Sequence, residues 1–233
     1  MLSYKLILVG GVLVAMGGMT VSSVAAQSGS RSGTACPLVK GGVKISIGVD
    51  TGRITYKHRL SKRELAKRVR RSRGKTLSAY EQPLGLTVWS TEYALKYRPQ
   101  VVQLGAREYC ALMDSVRLDL IITDMNVYVV GDYPRGSCQY AAILAHEHEH
   151  VDIARSVMTR YRSHFEAQIW SVADQLQSVT ATTADRAAKG VYRQFDRVIK
   201  LLFKQMVREM TRLNQAIDAP KNYQKLFNLC PRW

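Results

Sequence analysis

Apolar and polar residues alternate from Val43 to Val49, with Val43, Ile45, Ile47 and Val49 on one side; Asp50-Thr51-Gly52 supplies turn chemistry, and Ile54 and Tyr56 resume the alternation. A period of two on both sides of a turn predicts a β-hairpin. Ser61 followed three residues later by Glu64 is a capping-box pattern that opens a short helix to about Gly74. Leu86 to Tyr97, Tyr109 to Ile122 and Val127 to Val130 are rich in Val, Ile, Tyr and Thr, and are separated by Pro99, Gly105 and Asp124-Met125-Asn126. They predict three more strands and an antiparallel sheet.

After Tyr133-Pro134-Arg135-Gly136-Ser137 neither Pro nor Gly recurs until Gly190, and the period changes to that of a helix. Val151, Ala154, Met158, Phe165, Ile169, Val172, Leu176 and Val179 form one stripe. Val191, Phe195, Val198, Leu202, Met206, Met210, Leu213 and Ile217 form another. The weakest helical stretch lies between them, at 180–185, with Asp185 as the expected N-cap. The expected fold is therefore α+β: an N-terminal antiparallel sheet with one short basic helix, then a long antiparallel helical hairpin packed on the sheet. No repeat or long linker divides the chain, so 27–233 is expected to form one domain, mainly strands over 27–138 and mainly helices over 139–233.

Composition narrows the class. With 233 residues, 46% hydrophobic and 22% charged, the chain has enough apolar surface for a sizeable core, which excludes a disordered or low-complexity protein. Thirty-four Lys and Arg against 18 Asp and Glu give a formal charge of +16, so polyanions are the expected neighbours. Met1 to Lys5 is a short positive start, Leu6 to Val21 is apolar, and Val24-Ala25-Ala26 offers the small residues that a signal peptidase accepts. Residues 1–26 are thus expected to be a cleaved signal peptide and the mature chain to be periplasmic or secreted, with no transmembrane segment left. An oxidising destination makes disulfides the default for Cys36, Cys110, Cys138 and Cys230. The expected pairs are Cys110 with Cys138, which flank the same strands, and Cys36 with Cys230, which would tie the two ends.

The candidate chemistry lies in His146-Glu147-His148-Glu149-His150, where His146, Glu147 and His150 match H-E-x-x-H near the start of the long helix. Residues four apart share a helix face about 5–6 Å apart, so both imidazoles can reach one zinc ion at about 2.0–2.1 Å. Zinc lowers the pKa of a bound water to about 7, and a carboxylate beside the first histidine can take its proton and later deliver it to a leaving amine. Glu147 is placed for that role, while His148 and Glu149 point elsewhere.

This segment resembles the active-site helix of the zincin metallopeptidases, and the wider stretch from Gly136-Ser137-Cys138 through Ala141-Ala142-Ile143-Leu144-Ala145 is similar to bacterial proteins regarded as secreted zinc-dependent proteases. The resemblance implies one zinc per chain held by His146 and His150, general-base catalysis by Glu147, and hydrolysis of a peptide or protein substrate. In zincins the strand nearest the motif lines the cleft and pairs with extended substrate; Val127 to Val130 is expected there.

The third ligand stays open. A metzincin would carry Gly and His where Ile153 and Ser156 stand. Glu166, the first downstream glutamate, lies about 24 Å along an unbroken helix from His150, and His164 about 21 Å. Folding the helices about residue 182 sets Asn214 to Asp218 opposite His150 to His146, which makes Asp218 a candidate and Glu209 a weaker one. His58 on the first hairpin is a further option.

A second reading starts from the segment 57–75, where ten Lys and Arg face only Glu64. It describes a non-catalytic zinc-containing envelope protein that binds an anionic cell-envelope polymer or an acidic protein. No nucleic-acid recognition motif is present.

Overall fold

The computed structural model describes residues 5–7, 36, 42–73 and 83–233. Apart from Lys5–Ile7, the expected signal peptide lies outside the described residues. The strands are β1 (Lys5–Ile7), β2 (Lys44–Asp50), β3 (Ile54–Lys57), β4 (Gly85–Gly105), β5 (Glu108–Val129) and β6 (Val179–Ala181). The helices are α1 (Lys62–Arg73), α2 (Cys138–Asp174), α3 (Ala184–Ile217) and α4 (Pro220–Phe227).

The sheet is mixed, which corrects the expected antiparallel one. β4 and β5 pair antiparallel along nearly their whole length, but β1 joins β4 in parallel, and β2 and β3 join β5 in parallel. The expected hairpin over 43–56 is likewise absent. β2 and β3 do not pair with each other; they follow one another along the same edge of β5, opposite Ser115–Ile121 and Met125–Tyr128. Alternation reports one buried face and is blind to which neighbour carries the ladder.

The three later strands collapse to two, because Asp124-Met125-Asn126 is a bulge inside β5, not a turn. Asp124 has φ 46°, and the register with β4 shifts between Val88 and Ser90. The extra residue switches the parity of burial: Val116, Leu118, Leu120 and Ile122 face the core before it, Met125 and Val127 after it. Without that shift Met125 would point away from the larger core. Pro99 marks a second register shift inside β4, so it too interrupts pairing without ending the strand.

The long antiparallel helical hairpin expected is not what forms. Between α2 and α3 the chain returns to the sheet as β6, which pairs antiparallel with Tyr109–Ala111, and α4 follows α3. Thr183, not Asp185, caps α3, its hydroxyl accepting from Arg186 N at 3.3 Å. Ser137 caps α2 in the same manner. At α1 the capping box forms, with Glu64 Oε2 accepting from Ser61 N at 2.8 Å.

Two cores result. The larger lies between the sheet and the two long helices, around Trp89, Leu118, Leu120, Phe165 and Phe195; the smaller packs Leu65 and Val69 of α1 with Leu84, Leu86, Ile143 and Leu226. The disulfides are Cys36–Cys110 and Cys138–Cys230, correcting both expected pairs. Cys110 lies on the strand at the β6 end of β5, and Cys138 opens α2 beside the C-terminal segment, to which its sulfur is bonded. No helix among the described residues is long and apolar enough to cross a membrane.

Candidate metal centre

The inward stripe of α2 runs through Ile143, His146, Glu147, His150, Val151, Ala154, Val157, Met158, Tyr161 and Phe165. The first turns of an otherwise apolar core face thus bury two imidazoles and a carboxylate. His146 is 6% exposed, and Glu147 and His150 are fully enclosed. Burying such groups costs several kcal/mol each unless polar partners or a cation compensate. His148 instead lies half-buried against the Tyr56 ring, 5.5 Å away, and Glu149 is exposed.

His146, Glu147 and His150 each offer a ligand atom, and these atoms lie within 4.8 Å of one another, so the group could hold a metal ion. Asp218, just past the end of α3, completes the arrangement. Its Oδ1 lies 3.3 Å from His146 Nε2 and 3.2 Å from His150 Nε2. Ligands about 2.0–2.1 Å from one tetrahedral ion sit about 3.3 Å apart, so this spacing fits the edge of such a polyhedron.

The tautomer of His150 sharpens the point. Asn214 Nδ2 donates to the Met210 carbonyl at 2.7 Å, which turns Asn214 Oδ1 toward His150. Oδ1 is an acceptor only, so His150 Nδ1–H donates to it, at 2.8 Å, and Nε2 is the nitrogen that faces Asp218. A bare lone pair on that nitrogen would repel the carboxylate oxygen at 3.2 Å, so the contact needs a metal ion or a second imidazole proton between the two atoms; with the proton it is a hydrogen bond. Burial alone would raise the Asp218 carboxyl, but hydrogen bonds to His146 and His150, the charge of His150 and the Tyr223 hydroxyl outweigh it and hold the group well below the ordinary carboxylate range. Tyr223 of α4 donates to Asp218 Oδ1 at 2.8 Å, and its ring lies 5.7 Å from that of His146.

Glu147 is held differently. Thr87 on β4 donates to Glu147 Oε2 at 2.7 Å. Gly85, two residues earlier, lies so close that a β-carbon there would sit 2.8 Å from Glu147 Cδ and Cγ, a distance real β-carbons do not adopt. The carboxylate is therefore clamped against the start of β4, while Asp218 reaches across from α3.

The remaining candidates stand elsewhere. His58 Nε2 is 2.8 Å from the Tyr133 carbonyl oxygen and its ring packs edge-on to Tyr140. Glu166 and His164 are exposed farther along α2. Glu209 pairs with Arg160 and Tyr161. Val127 to Val130 does not offer a free edge for substrate, because Val127 lies between Thr87 of β4 and Tyr56 of β3; the motif is met by β4 at Glu147 and by β3 at His148.

Gly85, Thr87, Asn214 and Tyr223 are the residues that sequence reasoning missed. Asn214 had a visible signal, a polar residue four positions after Met210 on the apolar stripe of α3. Nothing in a single sequence marks Gly85 or Thr87, since their role is set by a contact 60 residues away. No protein-family model, curated protein or solved structure matches the chain.

Proposed function

We propose that the chain is an exported zinc-dependent metallopeptidase of the zincin type, with His146, His150 and Asp218 as the metal ligands and Glu147 as the general base. The observation that carries this reading is the convergence of two imidazole Nε2 atoms on one carboxylate oxygen at 3.2–3.3 Å, beside a second, separately clamped carboxylate whose oxygen lies within 4.8 Å of the imidazole nitrogens. Two nitrogen ligands and one carboxylate are a common catalytic zinc set, which leaves a coordination position for chemistry. The two disulfides fit export.

Zinc, when bound, supplies Lewis acidity that makes water nucleophilic near neutral pH and polarises a peptide carbonyl. The chain supplies the rest. Glu147 accepts the proton of the attacking water and returns it to the leaving amine, its carboxylate held in place by the Thr87 hydrogen bond and the close contact with Gly85. Asn214 holds His150 in the ligating tautomer, and Tyr223 holds Asp218.

The test is metal analysis joined to a protein-hydrolysis assay. The wild type is expected to hold about one zinc per chain; His146→Ala, His150→Ala or Asp218→Ala lowers that content, whereas Glu147→Gln keeps the metal and loses hydrolysis. A zinc-loaded wild type that cleaves no protein or peptide would overturn the enzyme reading in favour of a metal-containing binding protein.

A further inference from the structure

The metal centre leaves unused the most strongly charged element of the molecule. Within twelve residues α1 carries seven Lys and Arg against one carboxylate, and that carboxylate, Glu64, is committed to capping the helix through Ser61 N and Oγ. Lys62 and Arg68 lie over the rings of Tyr133 and Tyr128. Arg63, Lys67 and Arg70 are exposed, and among the described residues no salt bridge reaches them. Like charges three and four positions apart disfavour the helix that bears them, so this face is kept at the expense of local stability.

Its position ties it to the site. The inner face of α1 packs Leu65 and Val69 in one cluster with Leu84 and Leu86. Those two leucines bracket Gly85, which lies against the Glu147 carboxylate. The basic face and the candidate base are thus mounted on the same strand start.

The chemistry of the face selects one kind of partner. Arg63, Lys67 and Arg70 advance along the axis by about 4.5–6 Å per step. Alternate side chains of an extended peptide are about 6.6 Å apart, so an extended acidic segment can pair with all three. A membrane is a poorer match, because surface-bound helices insert an apolar face. Here Leu65, Ala66 and Val69 are buried in the protein's own core.

We propose that the outward face of α1, through Arg63, Lys67 and Arg70, docks an acidic segment of the protein substrate and so directs acidic proteins to the adjoining centre. The choice of substrate rests on the peptidase reading; the docking surface does not.

The experiment uses the full zinc-loaded chain bearing Glu147→Gln and a fluorescein-labelled peptide with glutamate at alternate positions, followed by anisotropy. Binding is expected to weaken steeply with salt. Adding Arg63→Gln, Lys67→Gln and Arg70→Gln is expected to weaken it about tenfold or more, with zinc content and circular dichroism unchanged. Equal binding by the triple variant overturns the proposal, as does tighter retention on phosphatidylglycerol vesicles than on the peptide. With Glu147 restored, α1-dependent peptide binding without any proteolysis sinks the hydrolase and leaves the docking surface standing. Proteolysis of acidic and neutral proteins at rates indifferent to the three charges sinks the substrate preference alone.

Discussion

At the scale of single residues, the centre depends on side chains that would never touch an ion. Asn214 is fully buried, and its two hydrogen bonds, to Met210 O and from His150 Nδ1, form a relay that decides which imidazole nitrogen faces Asp218. Asn214→Ala should reduce zinc affinity about 10–100-fold, measured by competition with a chromophoric chelator, because His150 is then free to take the other tautomer. Unchanged affinity would mean that Asp218 and the metal alone orient the ring. Gly85→Ala makes the opposite separation. Its β-carbon would displace the Glu147 carboxylate while leaving both histidines and Asp218 untouched. Hydrolysis is expected to fall by about 100-fold or more with zinc content intact, in line with loss of general-base catalysis. His146, Glu147 and His150 were legible because a helix converts spacing into geometry within one turn. Gly85 and Thr87 were not, because strand β4 reaches Glu147 only through tertiary packing.

At the scale of elements, the seam between β4 and α3 is lined with tyrosines whose ionisation the fold opposes. Tyr93 packs on Phe203 at 4.9 Å, Tyr97 packs on Tyr192 at 4.5 Å, and the Tyr192 hydroxyl donates to Asp196 at 3.0 Å. Burial, and then the charge of Asp196, push the Tyr93 phenol up to about 12, and the same causes raise Tyr192. A phenol whose pKa is raised by folding gives stability that is intact below the unfolded value of about 10 and is lost as pH climbs toward the folded value. Urea denaturation between pH 9 and about 12 should therefore show a loss on the order of 2 kcal/mol from Tyr93, and Tyr93→Phe should flatten that limb. Equal slopes in the two proteins would remove Tyr93 as the cause. The same seam explains how much of the fold the sequence could disclose. The helical periods of α2 and α3 locate their buried stripes. They do not disclose β6, a strand of three residues set between long helices, where Thr180 is the ladder partner of Cys110. The parallel docking of β2 and β3 on β5 was invisible for a related reason, since each presents the same alternation in any pairing.

At the scale of the whole molecule, the centre is where distant parts of the chain are fastened. It joins the first turns of α2 to the end of α3, 72 residues later, the start of β4 through Glu147, and α4 through Tyr223. The Cys138–Cys230 bond ties the N-terminus of α2 to the C-terminal segment beyond α4. An ion bound there would restrain the same ends of the helical layer as this disulfide, one by coordination and one covalently. An ion that binds only the folded chain stabilises it by RT ln(1 + [L]/Kd), or about 4 kcal/mol at a thousandfold excess over Kd. In a chain of this length each kcal/mol moves the melting temperature by about 2–4 °C. Chelation should therefore lower Tm by on the order of 10 °C, with restoration by added zinc and a graded dependence on free zinc concentration. Reducing the disulfides should add to that loss, because neither restraint replaces the other in the unfolded chain, where the Cys138–Cys230 loop spans 92 residues. The discriminating measurement is a pair of melting curves for Asp218→Asn, with and without chelator. This variant keeps the shape of the site but weakens its grip on a cation, so its Tm should respond far less to chelation than the wild type does. An equal response would place the stabilising ion somewhere other than between α2 and α3.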